Sequence, residues 1–437
     1  MLFHLQPNGV NSEFNFVYFL NARLNLNRTH RVSTMTSYQL EHPEKGLIQY
    51  TDKKRHWWLL SLFWPLVPVF AVLAYFQTNN PWMLLVPLGV GYVVIPALDY
   101  LLGTDRTNPP EEIVPQLDND NYYRNLTILI IPLHFFALAV SIWLIGTQDL
   151  AIGFYIGFAV VAGIYSGLCI NTAHEMGHKN TKLARRLSRL TLAVTAYGHF
   201  CVEHNLGHHR DVSTPEDPAS SRMGESIYSF MLREIPGAAK RGWAAEADRL
   251  RKRGFNFWSI QNHILQSYSV SLIIHVLAVV LFGWIVLPFL LIHNFVAWSQ
   301  LTSANYIEHY GLLRAKQANG KYERCQPHHS WNANHIFSNL MLFQLERHSD
   351  HHANPSRPYQ SLRSFDDLPE LPSGYFGMYL VAYIPWWWYS VMDKRLLAIA
   401  HINGDFDKIN IDPKKADRLR AKYADYAKKL NANPVTA

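Results

Sequence analysis

Four short stretches of the chain concentrate imidazoles. They read HEMGHK over residues 174–179, EHNLGHHRD over 203–211, NYIEHYG over 305–311 and ERHSDHHA over 346–353. Together they hold His174, His178, His204, His208, His209, His309, His348, His351 and His352, out of 22 histidines in the chain. Neutral imidazole is the commonest protein ligand for transition metals and suits iron, copper, zinc and nickel. The spacing fits helices. His174/His178 and His204/His208 are i,i+4 pairs, so both rings of each pair are expected on one helix face. His209 stands about 100° further round and can reach a different metal from its neighbour. His351 and His352 repeat that arrangement.

Ligand number sets the number of ions. One first-row ion with open positions uses three or four protein ligands, so nine histidines imply two metals with roughly four to five nitrogens each. One rival class shares part of the pattern. Residues 174–178 match the HExxH helix of zinc proteases, in which the Glu is the general base. A zinc peptidase would leave most of the clustered histidines without a role, and Gly177 is a poor residue inside a long catalytic helix.

With the longer pieces EHNLGHHRDVSTPEDPASSRMGES (203–226), LTSANYIEHYGLLR (301–314) and LERHSDHHA (345–353), the chain resembles the integral-membrane alkane 1-monooxygenases, from about residue 50 to about 412. The three boxes alone are shared with membrane desaturases and xylene-type hydroxylases, and mark only that superfamily. The EHYG piece and the long second box are more specific to the alkane enzymes.

The resemblance implies a non-haem di-iron site held by the nine histidines, with O2 as co-substrate. It implies terminal hydroxylation of medium- to long-chain n-alkanes to 1-alkanols. A fatty-acyl desaturase or xylene-type hydroxylase is the alternative, and His309 favours the alkane reaction. No side chain could remove the hydrogen as a base, because an alkane C–H has no useful acidity; the cofactor carries that step. The chain has no G-x-G-x-x-G and no cysteine cluster. The resemblance implies rubredoxin as the electron donor, reduced in turn by an NAD(P)H-dependent rubredoxin reductase. Carboxylates beside the boxes are expected to orient imidazoles through the non-ligating nitrogen. Asp217 and Glu308 rank first, ahead of Asp211, Glu175, Glu203 and Asp350. His328, His329 and His335 are further ligand candidates, whereas His134, His275 and His293 fall within apolar runs and are read as core or tunnel residues.

Such boxes need a scaffold, and the apolar runs supply it. Residues 57–76, 81–102, 126–145, 150–170, 264–286 and 287–305 are each about long enough to cross a 30 Å hydrocarbon core. The expected fold is all-α: a six-helix transmembrane bundle with a cytoplasmic helical histidine-box domain. Its divisions are an arm at 1–45, read as disordered or an extension, four spans and the first box at 46–178, and the second box at 179–262. Two spans ending in EHYG follow at 263–310, then the third box at 311–412 and a basic tail at 413–437. Residues 1–34 contain nothing that could span or ligate, and the tail reads as a solvated or membrane-surface helix.

Lys53, Lys54 and Arg55 fall on the same side as Lys182, Arg185, Arg186 and Arg189 if four spans separate them, and that side is cytoplasmic by the positive-inside rule. This orients the protein in a bacterial inner membrane with the metal site and both termini inside. Hydrophobic residues make up 49% of the chain and the net charge is only +7, so the basic residues are read as contacts with membrane lipids and not with nucleic acid. The 3 cysteines, Cys169, Cys201 and Cys325, are too far apart for a disulfide framework. In the second span Gly91 lies about 12 Å from Asp99 at 1.5 Å per residue. With Gly89, it is expected to leave a tunnel open for alkane chains arriving from the bilayer.

Overall fold

The computed structural model describes residues 37–432, so the expectations for residues 1–34 lie outside the described residues. It has two compact units divided after Lys53. The first contains an antiparallel hairpin, Ser37–His42 (β1) with Gly46–Thr51 (β2), in which Tyr38 faces Tyr50. The end of the arm, expected without structure as far as residue 45, is therefore a hairpin from Ser37 onward.

The second unit is helical. Among the described residues, five helical stretches are long and apolar enough to cross a membrane. Three of them are Trp57–Thr78 (α1), Pro81–Leu102 (α2) and Ile152–Gly177 (α4). The third in order contains Asn121–Thr147 (α3), and the fifth is His263–Phe282 (α8). The sixth expected span, Val286–His309 (α9), is a helix of 24 residues whose second half is polar: Gln300, Thr302, Ser303, Asn305, Glu308 and His309. Those residues face protein, which is why its composition falls short of a span. Between α4 and α8 run Lys182–Leu192 (α5), the broken helix at 200–211 (α6) and Ile227–Lys252 (α7). After α9 come Ile336–Met341 (α10), His348–Ala353 (α11), Tyr375–Ala382 (α12), Pro385–Leu397 (α13) and Ala416–Ala432 (α14).

The central pair is α4 against α9. Gly163 and Gly167, one turn apart, let them approach: a Cβ at Gly163 would stand 2.7 Å from the His293 carbonyl oxygen, and one at Gly167 2.7 Å from the Gln300 Cβ. Small residues four apart are the usual means of close helix packing in a bilayer. α4 continues to Gly177, so one rigid helix carries the first box out of the apolar layer. Ile170 and Ala173 pack with Leu192, Tyr197 and Phe200, which returns the chain beneath the histidines to the second box. On α7, Glu234 accepts hydrogen bonds from Thr302 Oγ1 at 2.7 Å and Asn305 Nδ2 at 3.3 Å on α9.

The tail departs from the expected solvated or surface helix. Leu419, Tyr423 and Ala427 are buried along one face of α14, and the Tyr423 hydroxyl donates to Asp393 Oδ2 at 2.8 Å. The Tyr310 hydroxyl donates to the other oxygen of the same carboxylate, also at 2.8 Å, which ties the tail to the residue after His309. Asp99, at the end of α2, accepts the Ser338 amide at 2.9 Å and fastens that span to α10.

Candidate metal centre

The nine boxed histidines converge on two groups. His174, His178, His204, His209 and His351 form one; His208, His309, His348 and His352 form the other. Within each group the ligand atoms lie within 4.8 Å of one another. The groups adjoin: the rings of His209 and His352 have centroids 4.5 Å apart, and those of His204 and His208 5.0 Å. The third box divides as its spacing implied, with His351 in the first group and His348 and His352 in the second.

The second box divides differently from an i,i+4 reading. His204 and His208 sit in different groups, and His204 instead meets His209, Nε2 to Nε2 3.0 Å. The cause is local. Residues His204–His208 form a π turn, and the His209 amide donates to the His204 carbonyl. In an α-helix residues i and i+5 stand about 140° apart, and the wider turn brings them closer to one face.

The nitrogens fit a metal. Nε2 atoms approach to 2.9 Å between His174 and His351, 3.2 Å between His351 and His209, 2.9 Å between His348 and His352 and 3.3 Å between His348 and His309. Bonds of about 2.1 Å to a shared ion set neighbouring ligand nitrogens about 3.0–3.4 Å apart. The Nε2 atoms of His178 and His208 are buried without a hydrogen-bond partner, as ligand atoms facing an ion would be. Burial, followed by the neighbouring imidazoles, holds His204, His209, His348, His351 and His352 well below the usual histidine range. They are therefore neutral, the state in which a ring nitrogen can ligate.

The six carboxylates fall in three kinds of place. Asp217 Oδ2 lies 2.9 Å from His208 Nδ1. Burial pushes that carboxyl up, but the His208 ring, Ser220 and the Arg241 guanidinium outweigh it and bring it down to about 2. Glu308 Oε2 lies 3.3 Å from His348 Nε2, the nitrogen that faces the other ligands, so it addresses the open side of the group and not the back of a ring. The other four meet cations. Glu175 pairs with Lys179 at 2.8 Å, Glu203 and Asp211 with Arg241 at 3.4 and 3.1 Å, and Asp350 with Arg363 at 2.7 Å. Arg241 thus joins three carboxylates around the second box. Sequence reasoning missed it because it lies on α7, 24 residues after Asp217, in no motif.

His328 and His329 lie apart from both groups, near Glu323, and His335 belongs to neither. His329 Nδ1 accepts the Gln326 amide at 2.9 Å while Nε2 faces Glu323 at 3.3 Å, so both ring nitrogens are engaged. Inside the bundle His293 bonds Ser166 at 2.8 Å, and His275 bonds Asn294 at 3.0 Å. Gly91 is buried, with the Tyr165 hydroxyl 3.7 Å from where a Cβ would stand, whereas Gly89 is exposed with open space around it.

Comparison with known proteins agrees with this geometry. Residues 150–387 match the fatty acid desaturase family model. Alkane 1-monooxygenase 1 of Alcanivorax borkumensis is 52% identical over 365 residues, covering 83% of this chain and 90% of the relative. Alkane 1-monooxygenase of Pseudomonas putida is 51% identical over 375 residues, 86% of this chain and 92% of the relative. The xylene/toluene monooxygenase hydroxylase component of P. putida is more distant, 26% identical over 228 residues, 52% of this chain and 59% of that one. With half its residues shared along nearly the whole length of the two alkane 1-monooxygenases, and its histidines gathered into two groups that could each hold a metal ion, the chain belongs to the alkane 1-monooxygenase family.

Proposed function

We propose that the protein hydroxylates the terminal carbon of medium- to long-chain n-alkanes to 1-alkanols, with O2 as co-substrate, at a site holding two irons. The observation that carries the reading is the division of nine imidazoles into groups of five and four in a chain of this family. His174, His178, His204, His209 and His351 would hold one iron, and His208, His309, His348 and His352 the other. Bound iron supplies the reductive activation of O2, which no side chain here can perform.

The protein binds, orients and excludes water. Asp217 keeps the proton of His208 on Nδ1 and leaves Nε2 free to ligate. Glu308 presents an oxygen on the open side of the second group, where it can hold a proton near the reacting face. A mainly apolar cavity lies beside α4 and α9, its walls including Trp64, Leu301, Ala304, Phe376 and Tyr379 with the polar Asn171 and Gln300, and a hydrocarbon entering from the bilayer would widen it. Gly91 would keep room for the far part of a longer chain. The three separated free thiols supply no electron-transfer cluster, which favours a separate donor. That donor is reduced rubredoxin, fed by an NAD(P)H-dependent rubredoxin reductase. The basic helix α5 follows α4 directly, and supports a bacterial inner-membrane protein whose box segments, 179–262 and 311–412, are cytoplasmic together with both termini.

The test is product analysis on membranes supplied with reduced rubredoxin and O2, offering octane, dodecane and an acyl lipid. The expected product is the 1-alkanol, carrying oxygen from labelled O2. An unsaturated acyl product without alkanol would replace this reading with the desaturase one.

A further inference from the structure

We infer that Tyr92, Gln300 and Tyr383 form a latch at the end of the apolar cavity remote from the histidines, and that the latch selects substrates by chain length; this rests on the alkane reading above. The Tyr92 hydroxyl donates to Gln300 Oε1 at 3.1 Å, and Gln300 Nε2 donates to the Tyr383 hydroxyl at 3.3 Å. Ser303 Oγ lies 3.2 Å from that same hydroxyl. The two tyrosine rings meet edge to face with centroids 6.3 Å apart. Three elements are joined here: α2 through Tyr92, α9 through Gln300 and Ser303, and the end of α12 through Tyr383. The chain after the third box therefore reaches back to the apolar helices.

Position gives the latch its meaning. Gln300 itself lines the cavity, as does Tyr379, one turn before Tyr383. Along α9, Ala304 and Gln300 stand five and nine residues before His309, rises of about 7.5 and 13.5 Å. Gln300, the latch residue that lines the cavity, thus stands about one extended medium-chain alkane from His309 along α9. Exposed apolar residues flank both of its outer parts: Val93 and Val94 beside Tyr92, and Ile384, Trp386 and Trp387 beside Tyr383. Beyond the latch lies the lipid-facing surface.

The backbone at Tyr92 is also unusual. Residues Val90–Val94 form a π turn within α2, between the α-helical pieces Val86–Gly89 and Ile95–Leu102. Such turns in an otherwise α-helical span recur at functional sites. Three side-chain hydrogen bonds in a medium without water hold the gap shut, yet they open by parting hydroxyls without unwinding a helix. On this reading a short alkane is held beneath the closed latch, and a longer one requires Tyr92 and Tyr383 to separate.

Tyr92→Phe and Tyr383→Phe, made separately, each remove one hydroxyl and keep the ring packing. kcat/KM is measured for octane and for hexadecane in membranes with reduced rubredoxin, at equal iron content. In each variant the hexadecane-to-octane ratio should rise about three- to tenfold over the unsubstituted protein, the size expected for losing one such bond. An equal change on both substrates, or a fall in the ratio, overturns the latch and leaves a plain packing contact. Octane product with an unaltered ratio tells against the latch alone. No alkanol from the unsubstituted protein overturns the alkane reading and the latch with it.

Discussion

His208 Nδ1 lies 2.9 Å from Asp217 Oδ2, and both side chains are removed from solvent. The carboxylate fixes one tautomer and one ring orientation, and Arg241 Nη1, 3.2 Å from Oδ1, holds the carboxylate in turn. Asp217→Ala should keep the fold but lower iron content or activity about 10- to 100-fold, the usual cost of losing a partner behind a metal ligand. Asp217→Asn, which retains an acceptor, should lose less. Metal analysis and alkane turnover on the same preparations check both; wild-type values for Asp217→Ala would refute the role.

The grouping of histidines predicts which ion each substitution disturbs. Alanine at any of the nine should abolish turnover. His204→Ala and His208→Ala, only one π turn apart, should each leave about one iron per chain, but with different spectroscopic signatures because different groups survive. Indistinguishable residual spectra would contradict the assignment of His204 and His208 to separate irons. A fully active His309→Ala protein would remove the ninth ligand and weaken the case against a desaturase.

Glu308 should behave unlike Asp217. Its Oε2 faces the Nε2 edge of His348 and does not orient a ring from behind. Glu308→Gln should therefore retain iron to within about twofold while alkanol formation falls about 10- to 100-fold. Iron loss as severe as in Asp217→Ala would show that Glu308 is chiefly a support for the ligands.

Gly91, one residue before Tyr92 in the same π turn, offers a second measure of chain length. A Cβ there meets the Tyr165 hydroxyl at an ordinary 3.7 Å, so only a larger side chain would fill the space beyond. Gly91→Trp should shift preference from hexadecane towards octane without moving the position of attack. Equal loss on both substrates would indicate a packing defect.

Much of the centre was legible in the chain because metal ligation uses few residue types at short spacings. HEMGHK, EHNLGHHRD, EHYG and ERHSDHHA name every histidine in the two groups, and the number nine already required more than one ion. The apolar runs marked the supporting helices for the same reason: a hydrocarbon core demands long uncharged segments. Where composition mixes polar and apolar residues the pattern failed, as in β1 and β2, and α9 carries too many polar side chains facing its neighbours to qualify by composition.

The sequence by itself determined the histidine boxes, the apolar helices and the kind of chemistry, since each depends on residue type and local spacing. The tertiary structure decided how the histidines divide, because one π turn at His204–His208 overrides the i,i+4 rule with a backbone bond that spacing does not reveal. It also decided which acids matter. Glu203, Asp211 and Asp217 look alike beside the second box, but Arg241 arrives from a distant helix, and only Asp217 also reaches an imidazole. The same holds for Tyr92, Gln300 and Tyr383. They are separated by 208 and 83 residues, and no periodicity links residues that only the packing of three helices brings within a hydrogen bond.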